Sequence, residues 1–313
     1  MKVAVLLKTD EIMREGLRKA CPEAEFVWDA DPDADSVGQY DVIVGNIEPE
    51  LLQYAGKLKL LQLNTAGVDA YADKTRYANP ETVVCNAAGA YGLVLSEYMA
   101  AVHLALLKNL HFYRDSMNKH AWEPLETALT VYGSRVLVLG AGDIGKAYAR
   151  IVRPMGAYCI GVRRHPGDLA EFHETYTMDK LDELLPAADA VVMVLPGTKE
   201  TEGVMTRERL FAMKKGAVLI NAGRGSAIDQ EALYDVLKSG HLAGAAIDVT
   251  VPEPLPEDHP LWTLDNLIIT PHSAGGLRVR YTVQKIMDLA AENIRELLDG
   301  KPITRQVDVK RGY

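Results

Sequence analysis

A chain of 313 residues is long enough for two domains, each with its own buried core. Its hydrophobic share of 48% and charged share of 25% are those of an ordinary soluble globular protein. A net charge of -9 argues against a general nucleic-acid or anionic-membrane surface, so any basic feature is a local device.

The first run, "MKVAVLLKTDE", is too short in its apolar part for a secretory signal and has no small-residue cleavage site. Strands are predicted at "KVAVLL", "DVIVG", "LKLLQLN" and "TVVCN", with helices between them. A long apolar helix then runs from about Leu93 to Leu110. Ser96, Glu97 and His103 punctuate it, so it reads as buried within the protein and not as a membrane span. The segment "NKHAWEPLETALTVYG" reads as a linker. A second α/β series begins at Arg135, with strands "RVLVLG", "AYCIGV", "DAVVMVLP", "AVLINAG", "AGAAID" and "NLIITPH". Several are continuous apolar runs, as expected of parallel strands covered on both faces. One more amphipathic helix, roughly 277–298, comes too late to complete the second sheet. It reads as the chain crossing back to the first domain, ahead of a polar tail ending at Tyr313.

Three cysteines, Cys21, Cys85 and Cys159, are odd in number and far apart. They suit buried thiols in a reducing cytoplasm, and no metal-ligand spacing is present.

Gly140, Gly142 and Gly145 form a G-x-G-x-x-G between a strand and a helix. The pattern alone is weak, but its context is that of a dinucleotide turn. Its glycines permit a tight turn, close approach of a pyrophosphate, and close helix–strand packing. The helix starting near Asp143 directs its N-terminal N–H groups at the phosphates. The next strand ends at Val162, so Arg163 and Arg164 stand where an acid would hold the ribose hydroxyls of NAD. Guanidinium groups there suit the 2′-phosphate of NADP, although two solvated surface arginines would look the same.

Three later motifs, "NAGRGSAID", "AIDVTVPEPLP" and "ITPHSAGG", each follow a strand. Taken singly, Arg224 can be a surface ion pair, Glu253 a loop charge and His272 a satisfied loop imidazole. Together with Asp248, beside a nucleotide turn, they make a kit for reducing an anionic carbonyl compound. A histidine supplies a proton near neutral pH, a carboxylate fixes its ring, and an arginine forks onto a substrate carboxylate.

With "LNTAGVD", "GAGDIG", "LPGTKETEGVM", "NAGRGSAID", "DVTVPEPLP" and "TPHSAGG" in this order, the chain resembles the D-2-hydroxyacid dehydrogenase family over nearly its whole length. The resemblance implies an α/β fold in which a Rossmann coenzyme domain, residues 98–276, is inserted into a discontinuous flavodoxin-like substrate domain, residues 1–97 and 277–313. It implies Arg224, Glu253 and His272 as catalytic residues. In "TAGVD" it implies that Ala66, Gly67 and Val68 face the substrate, with the N–H groups of Gly67 and Val68 on its carboxylate. Asp248 would take the nicotinamide carboxamide, with Ala222, Gly223, Arg224 and His272 near that ring. Pro196 and Thr201 would lie along the coenzyme, and Ile144 beside Asp143 at the pyrophosphate.

The chain departs from the family pattern at Arg163, in place of an acid, as in NADPH-preferring glyoxylate/hydroxypyruvate reductases. Thr250 replaces a frequent aromatic and Ser96 a small apolar residue, while Tyr91 and Leu93 lie close to substrate-facing positions. The expected activity is reduction of a 2-oxo acid to the (R)-2-hydroxy acid with NADPH, NAD(H) being possible. The expected state is a cytoplasmic homodimer that binds neither nucleic acid nor membrane. A nucleotide-sensing regulator, like the corepressors of the family, is the alternative from another class. A formate- or phosphite-type dehydrogenase ranks below both.

Overall fold

The computed structural model describes residues 1–165 and 167–308. The end of the expected polar tail, residues 309–313, lies outside the described residues. The chain divides into two compact units, one formed by Met1–Tyr91 with the segment from Gly276 onward, the other by Gly92–Gly275.

In the first unit the strands are β1 (Lys2–Val5), β2 (Glu25–Trp28), β3 (Val42–Val44), β4 (Leu60–Gln62) and β5 (Val83–Cys85). They pair in parallel in the order β2-β1-β3-β4-β5, the flavodoxin-like order. Helix α1 (Glu11–Ala20) starts where the Asp10 carboxylate accepts the Met13 N–H at 3.0 Å, and it buries Met13 and Leu17. The sequence-predicted helix at 277–298 is Arg280–Leu298, and it packs on α1 and β4. Asn293, on that helix, donates through Nδ2 to Gln62 Oε1 at 2.6 Å, and both side chains are fully buried. Beyond the helix, the Val307 N–H donates to Val84 O at 2.9 Å, so the returning chain lies along β5.

The second unit starts with α2 (Gly92–Leu107) and α3 (Leu110–Asn118), which bend by 67° from each other. The single helix expected to Leu110 is therefore broken. Asn109 takes the left-handed conformation, φ 53°, and starts a new helix. A boundary at residue 98 would cut α2 in two; the units part instead at Tyr91/Gly92, because α2 packs along its length on elements of the second unit. No single helix among the described residues is long and apolar enough to cross a membrane.

The rest alternates β6 (Arg135–Leu139), α4 (Asp143–Val152), β7 (Tyr158–Val162), β8 (Glu174–Tyr176), α5 (Leu181–Leu184), β9 (Ala190–Met193), α6 (Arg207–Ala212), β10 (Val218–Asn221), α7 (Gln230–Lys238), β11 (Gly244–Ile247) and β12 (Leu267–Ile269). The seven strands are parallel in the order β12-β11-β10-β9-β6-β7-β8. The order reverses at the β9/β6 boundary, the switch point beside which doubly wound sheets bind ligands. Strands β9, β10 and β11 are buried at every position, which is why they read as unbroken apolar runs. Cys21, Cys85 and Cys159 are free and buried, as their spacing suggests.

Candidate active site

The motifs of the second unit lie just beyond the C-terminal ends of its strands. The loop after β12 brings His272 to Glu253: the imidazole Nδ1 is 2.8 Å from Oε2 of the carboxylate. The other oxygen, Oε1, accepts the Thr250 N–H at 3.0 Å, so the carboxylate is held at both ends. With Nδ1 engaged, the ring's second nitrogen has no partner among the described residues, and the His272 side chain is about half exposed (54%). The backbone of His272 is itself left-handed, φ 48°, and its N–H donates to Asp248 O at 2.9 Å.

Asp248 ties this loop down. Its carboxylate accepts the Thr270 hydroxyl at 2.5 Å, the Ser273 N–H at 2.9 Å and the Ala274 N–H at 3.1 Å. Behind it, the hydroxyls of Tyr98 on α2 and Thr270 are 2.7 Å apart. Burial, aided by the Asp248 charge, pushes the Tyr98 phenol up to about 12 despite the bond to Thr270, so it stays protonated and donates along this chain. Gln230 secures the neighbouring "VPEP" loop through both backbone groups of Val251: its Nε2 donates to the carbonyl and its Oε1 accepts the N–H. Tyr98, Thr270 and Gln230 were not singled out in the sequence. Each is an ordinary polar residue whose partner lies on another element.

Arg224 follows β10. Asn221 shapes its turn, donating through Nδ2 to Arg224 O at 2.9 Å and accepting the Gly223 N–H at 3.0 Å. The guanidinium donates to Gly223 O at 2.9 Å and is half-buried. Gly223 and Gly225 are fixed by crowding: a Cβ on the first would come within 2.7 Å of Leu195 N, and on the second within 2.3 Å of Thr250 O. Ala222 is buried beside them.

The Gly-rich turn after β6 separates its three glycines. Gly140 has φ 102°, and a Cβ there would lie 2.7 Å from Val194 O. A Cβ on Gly145 would lie 2.3 Å from Gly140 O. Gly142 is different: open space surrounds it and its φ of −92° suits any residue. Packing within the protein explains the first two, whereas the bare backbone at Gly142 fits a group that approaches from outside. No side chain caps α4 at this point, so its first-turn N–H groups are left for that group. Asp143 turns its carboxylate against Gly92 at the start of α2, while Ile144 is half-buried. Thr201 donates to Pro196 O at 2.5 Å, which folds the loop after β9 into a compact turn.

Arg163 and Arg164 follow β7, as the spacing predicts. Arg163 is half-buried with no ion pair among the described residues, whereas Arg164 is exposed and ion-paired to Glu200 at 2.5 Å. In the first unit, the "TAGVD" loop follows β4. Its Ala66 carbonyl accepts from Asn86 Nδ2 and its Gly67 carbonyl from the Thr65 hydroxyl, each at 2.8 Å. The N–H groups of Gly67 and Val68 donate to nothing among the described residues.

Residues 100–274, more than half of the chain, match the sequence model of the D-isomer specific 2-hydroxyacid dehydrogenase NAD binding domain. The chain belongs to the D-isomer specific 2-hydroxyacid dehydrogenase family. A solved family member from Aeromonas salmonicida is similar over 98% of this chain and 99% of its own, with a TM-score of 0.85 and 32% identity. The glyoxylate reductase of Korarchaeum cryptofilum is 30% identical over 88% of this chain and 83% of its own length. The NADPH-dependent glyoxylate/hydroxypyruvate reductase of Sinorhizobium meliloti, solved with NADP and sulfate, gives a TM-score of 0.83 at 27% identity, covering 100% of this chain and 99% of its own. The dehydrogenase is thus an NAD(P)-linked oxidoreductase. Its second unit is the Rossmann coenzyme domain, and its first is a second α/β domain.

Proposed function

We propose that this dehydrogenase reduces a small 2-oxo acid to the (R)-2-hydroxy acid and prefers NADPH. The observation that carries the reading is the His272–Glu253 pair, set on loops at the same sheet edge as the Gly142 turn and Arg224. The bound nicotinamide supplies the hydride for the carbonyl carbon. His272, protonated, gives the proton to the carbonyl oxygen through Nε2, since Nδ1 is committed to Glu253. Glu253 fixes the ring and pairs with the charge it carries before transfer. Arg224 forks onto the substrate carboxylate and stabilises charge growing on the carbonyl oxygen.

The unspent N–H groups of Gly67 and Val68 suit the same kind of anion, and we assign them to the carboxylate. Asp248, whose Oδ1 takes the Thr270 hydroxyl and the Ser273 N–H while Oδ2 takes only the Ala274 N–H, offers Oδ2 to the carboxamide of the nicotinamide, near Ala222 and Gly223. Pro196, Thr201 and Ile144 line the rest of the coenzyme, while Asp143 contributes its backbone N–H. Preference for NADPH rests on Arg163 and Arg164 at the end of β7 and on the lack of an acid there. It is also the cofactor named for the reductase of Sinorhizobium meliloti. The expected homodimer has its support in the exposed apolar side chains of α3 and the following segment, Leu110, Met117, Trp122 and Tyr132.

Initial rates with NADPH or NADH against glyoxylate, hydroxypyruvate, pyruvate and branched 2-oxo acids test the reading. Faster turnover with NADPH supports it, and the best acid sizes the substrate pocket. Faster turnover with NADH overturns the coenzyme assignment, and no turnover with any acid overturns the reaction.

A further inference from the structure

The loops after β7 and β9 lie on either side of the Gly-rich turn, because β6 stands between those strands in the sheet. The turn touches both neighbours: the Gly140 and Ala141 N–H groups donate to Val162 O, and Gly140 closes against Val194. An ion pair joins the two flanking loops, Arg164 Nη2 to Glu200 Oε2 at 2.5 Å. It spans the turn on the side where the adenosine ribose of a bound dinucleotide lies. The position of Glu200 is preset, because Thr201 closes its loop with bonds to Pro196 O and to the Thr198 N–H.

We propose that Glu200 is a specificity-determining residue, a carboxylate that competes with the coenzyme's 2′-phosphate for the Arg164 guanidinium. The inference rests on the reading that Arg163 and Arg164 receive that phosphate. An ion pair this exposed, with side chains 42% and 72% accessible, is weak enough for a phosphate to displace. Once displaced, the carboxylate remains on a fixed loop close to the dianion and repels it. A ribose with a free 2′-hydroxyl meets no such repulsion, and its hydroxyl can donate to a carboxylate or to an amide oxygen at this position alike. Glu200 therefore narrows the gap between the phosphorylated and unphosphorylated coenzymes, where Arg163 widens it.

The test is equilibrium binding of 2′,5′-ADP and of 5′-ADP to the whole protein, followed by calorimetry, for wild type, Glu200→Gln, Glu202→Gln and Arg163→Ala/Arg164→Ala. Glu202 supplies the same charge change two residues away and has no ion pair among the described residues. Glu200→Gln is expected to tighten 2′,5′-ADP about five-fold, the order set by one unit charge at surface distances, with 5′-ADP unchanged. The gain fades at high salt. An unchanged or weaker 2′,5′-ADP affinity in Glu200→Gln, or an equal gain in Glu202→Gln, overturns the proposal. If the double arginine variant binds both ligands as wild type does, the phosphate reading itself fails and the proposal falls with it. A loss of 2′,5′-ADP binding in that variant together with no effect of Glu200→Gln rejects the role of Glu200 alone.

Discussion

Nδ1 of His272 lies 2.8 Å from Oε2 of Glu253, and the same carboxylate holds the Thr250 N–H through Oε1. The ring is thereby fixed with Nε2 outward, and the two residues have different jobs. His272→Gln is expected to lower kcat by about 10³, the usual range for loss of a general acid. Glu253→Gln keeps a partner for the ring and loses less. Both variants are expected to bind NADPH normally by fluorescence titration; lost binding would make the pair part of the coenzyme site.

Arg224 stands on a turn shaped by Asn221 and by the close approaches of Gly223 and Gly225, with its guanidinium bonded to Gly223 O. Arg224→Ala is expected to lower kcat/KM for the 2-oxo acid by about two to three orders of magnitude. NADPH affinity is expected to stay close to wild type. Equal loss of both would show that the guanidinium serves the coenzyme instead of the carboxylate.

The glycines of the dinucleotide turn are expected to separate cleanly. Gly145→Ala sets a Cβ against Gly140 O and is expected to destabilise the protein by about 1–3 kcal/mol, read as a fall in the urea midpoint. Gly142→Ala meets open space and is expected to leave that midpoint unchanged while weakening NADPH binding. A folded Gly142→Ala that binds NADPH normally would remove the pyrophosphate from this turn.

His103 on α2 supplies a pH dependence. Its Nδ1 is 2.7 Å from the Tyr148 hydroxyl, and burial holds its pKa down to about 4, from 6.5. Burial also raises the Tyr148 phenol, which therefore donates to the neutral imidazole. Between about pH 6.5 and 4 the unfolded chain binds the extra proton and the folded one does not. Stability therefore falls as the pH drops through that window, by about 3 kcal/mol from this residue. His103→Gln, which keeps an acceptor for Tyr148, is expected to show a shallower fall of the urea midpoint between pH 7 and 5. A slope equal to wild type would remove His103 as the source.

The strands that were legible in the sequence are the buried ones, such as β9 and β10, where both faces demand apolar side chains. Strands β2 and β8 were missed because "EFVW" and "ETY" are short, mostly half-exposed and open on a charged Glu. The break at Asn109 was missed because Leu107-Lys108-Asn109-Leu110 holds neither Gly nor Pro, and the left-handed turn falls on a single Asn. At the site, the motif residues were readable because each follows a strand. The residues that hold them were not: Tyr98 reaches Thr270 across 172 positions of sequence, and no local pattern records such a pairing.

The bond between Gln62 and Asn293 joins residues 231 positions apart within one unit, with all of Gly92–Gly275 between them. During synthesis β4 leaves the ribosome long before the helix that covers it. The first unit therefore stays unfinished, its buried amide unpaired and its apolar surface uncovered, until the helix Arg280–Leu298 has been made. The coenzyme unit is continuous and can fold in the meantime, turning a long flexible loop into a compact insert and lowering the entropy lost when the ends close. The connectivity of this enzyme thus lets the inserted unit be completed before its host.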